Sequence, residues 1–143
     1  MKKRFRFLEH TADAYIEAYG ASLEEAFENA AAAMTDVMTE LENVEAKTEK
    51  GFMIKAPDEP ALLYSWLEEL LLEFELKDKL YSRFEVSYIE ETSEGFRLRA
   101  KAWGEKYDPE RHPSKTGIKA ATYHQMEILK DPKSVTLRFI LDV

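Results

Sequence analysis

The segment DEPALLYSWLEELLLEFELK constrains this chain most. Leu62, Leu63, Trp66, Leu67, Leu70, Leu71 and Phe74 recur at helical spacing, while Glu68, Glu69, Glu73 and Glu75 fall mostly outside that stripe. A one-sided apolar stripe of this kind must be buried against another layer. Asp58 is placed to cap the helix, and Pro60 is tolerated in a first turn that needs no intrahelical N–H bond. From Asp58 to about Lys77 the helix would run roughly 30 Å at 1.5 Å per residue.

The period then changes. Phe84, Val86 and Tyr88 alternate with polar residues, Ser93-Glu94-Gly95 marks a turn, and Phe96, Leu98, Ala100 and Ala102 alternate back, which predicts a hairpin over 83–104. Upstream, residues 4–9 and 14–19 read as strands, the second ending at Gly20. Ser22 and Glu25 have capping-box spacing and start a helix whose stripe runs from Leu23 through Phe27, Ala30 and Met34 to Leu41. Residues 51–56 form a further strand, and 118–130 and 134–141 a second hairpin around Asp131-Pro132. The expected fold is α+β over a single domain, 1–143: a two-layer sandwich with two helices on one face of a mostly antiparallel sheet of about six or more strands.

Composition narrows the function. The absence of cysteine removes disulfides, thiolate metal sites and cysteine nucleophiles, and fits a cytoplasmic protein. With 28 Asp and Glu against 20 Lys and Arg, the net charge of −8 argues against autonomous nucleic-acid binding, whose affinity comes from neutralising phosphates. No apolar run reaches the length of a membrane span, and MKKRFRFLEH lacks the apolar core of a signal peptide. No phosphate-binding glycine loop, HExxH, GxSxG or EF-hand loop is present.

Two places carry candidate chemistry. Glu9, His10, Thr11 and Asp13 cluster where the first strand ends, and Asp142 stands beside Val143 and its α-carboxylate. If these strand ends met at one rim, Asp13, Asp142 and Val143 would offer hard oxygen ligands suited to Ca²⁺ or Mg²⁺. Asp13 can equally cap a turn through its own backbone, and the residues alone leave both readings open. His10, His112 and His124 show no zinc-site spacing, and His124 reads as a strand residue. KYDPERHPSK, 106–115, is a polar connection or a recognition loop.

Taken together, LEHTADAYIEAYGASLEEAFENAA, ALLYSWLEELL, LRAKAWGEKYDPERH, IKAATYHQMEI and the final LDV closely resemble the archease family, in the family's order and over the whole chain. The resemblance implies a non-catalytic accessory protein. Its partner would be the tRNA-splicing ligase that joins 3′-phosphate or 2′,3′-cyclic-phosphate RNA ends to 5′-hydroxyl ends. Archeases promote guanylylation of that ligase's active-site histidine, sustain multiple turnover and broaden its nucleotide use. An RNA methyltransferase is a further candidate client. The resemblance also implies a divalent cation, typically Ca²⁺, at Asp13, Asp142 and Val143, and it marks His10, Lys119 and His124 as candidate partner contacts. Two other readings compete: a general chaperone or adaptor for RNA-modifying enzymes, and a divalent-metal-dependent hydrolase, for which the chain offers no evident nucleophile.

Overall fold

The computed structural model describes residues 3–8 and 13–143. Strands β1 (Phe5–Leu8) and β2 (Ala14–Gly20) lead into helix α1 (Leu23–Met38). The Ser22 Oγ accepts from the Glu25 N–H at 3.1 Å, and the Glu25 carboxylate reaches back to the Ala21 N–H at 2.6 Å. The expected capping box is thus present, offset by one residue on its return bond. The helix stops at Met38, one turn short of Leu41, because Thr39 turns extended and a 3₁₀ turn, Leu41–Asn43, follows.

Strand β3 (Thr48–Ala56) precedes helix α2 (Glu59–Lys77), which the Asp58 carboxylate caps through the Ala61 N–H at 2.9 Å. Asp78 ends α2 in the left-handed conformation, φ 56°. The long hairpin β4 (Lys79–Thr92) and β5 (Gly95–Lys106) follows, then β6 (Ala120–Ala121), β7 (Glu127–Lys130) and β8 (Val135–Asp142). Gly95 makes the hairpin turn at φ 132°, a conformation that favours glycine.

The α+β class and the two helices are as expected, but the strands form two antiparallel sheets rather than one. β1-β2-β8-β6, with β7 also on β8, is one sheet, and β3-β5-β4 is the other. The core lies among the sheets and both helices. All four alanines of 30–33 are buried, so α1 approaches its neighbours closely. Trp66 Nε1 donates to the Phe27 carbonyl of α1 at 3.0 Å, and Thr35 Oγ1 donates to the Tyr81 carbonyl of β4 at 2.7 Å. The helices are therefore fixed to each other and to the sheet by buried hydrogen bonds as well as by apolar contact.

Three side chains depart from simple periodicity. Phe5 packs on the core, but Phe7 on the edge strand is 49% exposed. Glu73 is buried and accepts from the Tyr81 hydroxyl at 2.7 Å. Tyr88 leaves the core face, because a bulge between Val86 and Tyr88 turns it to the opposite side and sends Ile89 inward. Among the described residues no helix is long and apolar enough to cross a membrane.

Candidate functional site at the rim of the five-stranded sheet

The register of the larger sheet decides which termini meet. Ala14 pairs with Leu141 and Ile16 with Phe139, so Asp13 and Asp142 each lie one position beyond the last pair, at the same rim. On the other side of β8, Ala120 pairs with Asp142, and the Lys119 N–H donates to the Asp142 carbonyl at 2.7 Å. Asp13, Asp142, Val143 and Lys119 thus stand at one rim, drawn from opposite ends of the sequence. Asp13, Asp142 and Val143 are each half-buried and Lys119 is exposed.

This rim is firmly held. Glu68 of α2 accepts the Ala121 N–H at 2.7 Å, which pins short β6 to the helix. Both the N–H and the hydroxyl of Thr122 donate to the Ile140 carbonyl. Tyr64 of α2 stacks on Tyr123 with ring centroids 4.5 Å apart. His124 follows in a turn and is exposed, where the sequence predicts a strand; Gln125 beside it has φ 54°. The left-handed residue breaks the extended run, so His124 points from a loop fixed to α2 through its neighbour. His10, with Glu9 and Thr11, lies outside the described residues.

Behind the rim, on the same face of β2 and β8, a ladder of alternating charge crosses the sheet. Register aligns Arg6, Glu17, Arg138 and Glu127 on four successive strands. Arg6 Nε and Arg138 Nε each donate to the Glu17 carboxylate at 2.6 Å, and the Tyr19 hydroxyl donates to it as well. Glu17 is only 3% exposed. Burial alone would raise its pKa, but the Tyr19 hydroxyl and the two guanidiniums outweigh it and hold the carboxyl at about 2. The ladder fixes β1, β2, β8 and β7 in register and hence the placement of Asp13 and Asp142 at one rim.

A second buried carboxylate organises the polar connection after β5. Glu105 accepts from the Glu45 N–H at 2.9 Å and pairs with Arg111 and with His112 Nε2, the latter at 2.8 Å. The His112 Nδ1 accepts the Asp108 N–H at 2.8 Å, which leaves the ring proton on Nε2 to be donated to Glu105. Burial pushes the Glu105 carboxyl up, yet these donors hold it at about 2. His112 is fully buried within this network and His124 is exposed elsewhere, so the described histidines do not assemble a zinc site. The connection is a fastened loop. Only the strand-terminal position of Glu105 before a loop containing Arg and His hinted at this in the sequence.

Among the described residues no group of three or more His, Asp or Glu side chains gathers for a metal. The rim supplies two side-chain carboxylates, with the Val143 main chain beside them. That donor set fits a hard divalent cation that keeps part of its water or takes further ligands from a partner.

The profile of the archease protein family matches residues 5–143. The chain belongs to the archease family. An archease of Sulfurisphaera tokodaii is 43% identical over 141 residues, covering 99% of both chains, and one of Pyrococcus abyssi is 47% identical over 130 residues, covering 91% of both. The solution structure of Methanobacterium thermoautotrophicum protein 1598 superposes with a TM-score of 0.81 at 41% identity, covering 97% of this chain and 98% of that one. The archease fold, with two helices and two antiparallel sheets, is therefore this chain's fold.

Proposed function

We propose that this archease is a non-catalytic accessory factor that activates a tRNA-splicing RNA ligase, promoting guanylylation of the ligase's active-site histidine, supporting multiple turnover and widening its nucleotide use. The observation that supports this reading is the β2–β8 register, whose last pair, Ala14 with Leu141, leaves Asp13 and Asp142 at one firmly held rim. Carboxylate oxygens at one rim are the hard ligands that a divalent cation of this kind takes. Asp13, Asp142 and Val143 would hold a divalent ion, Ca²⁺ above all, with the Lys119 N–H fixing the Asp142 backbone. Such an ion supplies charge neutralisation and orientation of phosphate oxygens. The rim enters the ligase's active site, with Lys119 and His124 contacting the partner around it.

The test is multiple-turnover ligation of a 3′-phosphate RNA by the cognate ligase, with wild type, Asp13→Ala or Asp142→Ala added, together with thermal melting in Ca²⁺. Stimulation and Ca²⁺ stabilisation by wild type, both lost in each folded variant, are expected. Stimulation that survives both substitutions would detach the rim from the activity, and no stimulation by wild type would return the adaptor reading.

A further inference from the structure

The three-stranded sheet turns its second face to solvent, and its register lays that face out as a grid. Arg83, Trp103 and Glu49 form one row, Glu85, Lys101 and Gly51 the next, Tyr88, Arg99 and Met53 the third, and Glu90, Arg97 and Lys55 the last. Alternate residues on the opposite face, including Phe84, Val86, Ala100 and Phe52, are buried in the core. Five cations and three carboxylates occupy this grid, in a chain whose net charge is −8. Arg97 pairs with Glu90, and Lys101 with Glu49 at 3.8 Å. Among the described residues, Lys55, Arg83 and Arg99 form no ion pair; Arg83 instead lies over the Trp103 ring, 4.4 Å from its centroid. The outer face of the larger sheet differs, because Glu17 and Glu127 neutralise Arg6 and Arg138 there.

The two bulges of β4 bring this composition about. Register shifts between Tyr81 and Arg83 and between Val86 and Tyr88 put Arg83 and Tyr88 on the solvent face. Regular alternation would carry Tyr88 into the core beside Phe84 and Val86. Bulges that re-aim a side chain mark designed features of a sheet.

We propose that this face binds single-stranded RNA. Arg97, Arg99 and Lys101 stand along one strand at roughly 6.8 Å intervals, since strands rise about 3.4 Å per residue. Arg99 has no ion pair among the described residues, and the other two sit in exposed ion pairs that a phosphate can displace. Such a row tracks an extended phosphate backbone, while Trp103, Tyr88 and the guanidinium over Trp103 offer planar surfaces for bases. Single-stranded RNA answers the row of cations and the aromatic planes together, through its phosphates and its bases. The net charge of −8 sets an expectation against nucleic-acid binding; segregation of charge onto one sheet face is what reverses it locally. The inference stands apart from the ligase reading, since it concerns the free protein and a different surface.

The experiment is fluorescence anisotropy of a labelled 12-nucleotide pyrimidine-rich RNA strand titrated with the protein at 20 and 150 mM KCl, followed in parallel by tryptophan emission. Trp66 is fully buried, so quenching reports Trp103. Saturable binding is expected to quench that emission and to weaken with salt with a logarithmic slope of about −2, corresponding to about three phosphates at about 0.7 each. Arg99→Glu should weaken binding at least tenfold on the order of one neutralised, repelled phosphate contact. Lys133→Glu, the same charge change in the exposed β7–β8 turn, should leave binding unaltered; Arg99→Gln guards against a folding artefact. Absence of binding at 20 mM KCl, equal loss in both charge-reversal variants, or displacement by polyglutamate without recovery of tryptophan emission would each overturn the proposal, the last in favour of an acidic protein partner.

Discussion

Replacing Glu17 by glutamine removes one charge from the middle of the cross-strand ladder while keeping the side chain's size and one acceptor oxygen. The wild-type carboxyl is held at about 2 against an ordinary 4.5. At about 1.36 kcal/mol per unit, that difference corresponds to about 3 kcal/mol of stability at neutral pH. Arg6 and Arg138 are both partly exposed, so after the substitution they hydrate and no buried cation is stranded. The sign follows from the direction of the shift. A depressed carboxyl contributes fully above its unfolded value near 4.5 and loses the contribution as pH falls toward 2. The gap between wild type and Glu17→Gln should therefore shrink from about 3 kcal/mol at pH 7 to about 2 at pH 3.5 and about 1 at pH 2.5. Urea unfolding at each pH measures it, and at neutral pH the melting temperature should drop by about 6–12 °C. A neutral-pH difference below about 1 kcal/mol, or one that stays constant through acid, would refute the account of Glu17 as an ionised, ladder-bound carboxylate.

Glu105→Gln should free the connection after β5, so hydrogen exchange at the Asp108 and His112 amides is expected to accelerate while the α1 amides stay protected; Glu105 is held at about 2, so in wild type the same opening should set in below pH 4.5 and become complete only as pH falls toward 2. Leu67→Ala, at a fully buried position of α2, should cost about 2–5 kcal/mol in urea unfolding, and a smaller loss would mean that the core collapses around the gap.

Helices were readable because their signals are local. Ser22 with Glu25, Asp58 with Pro60, and the stripe from Leu62 to Leu71 all lie within a few turns of one another. The β4–β5 hairpin was legible for the same reason, although its strands run longer at both ends. The division into two sheets was not, since alternation says which side of a strand is apolar and nothing about which strand lies beside it. At Tyr88 and His124 a single residue, a bulge or a left-handed turn, resets the period that alternation predicts. Nothing in the sequence singles out Glu17, and only its strand-terminal position hints at Glu105; their partners Arg138 and Glu45 are remote along the chain. At the rim, family resemblance and ligand chemistry point to Asp13 and Asp142, and the β2–β8 register is what brings these two distant positions to one edge.

The order of synthesis acquires a meaning from that same register. β8 pairs with β2, β6 and β7 and so occupies the middle of its sheet, yet it is made last of them. β3, α2, β4 and β5 can assemble while translation continues, but β2 waits with the apolar edge of Ile16 and Ala18 unsealed until residues 135–142 emerge. At about 5–20 residues per second that interval is on the order of ten seconds. Only when it ends can Asp142 join the rim that carries Asp13, so that rim is complete only once β8 has docked on β2. A copy in which β8 has not docked would lack one whole side of that rim, so the state of the rim follows the state of the sheet.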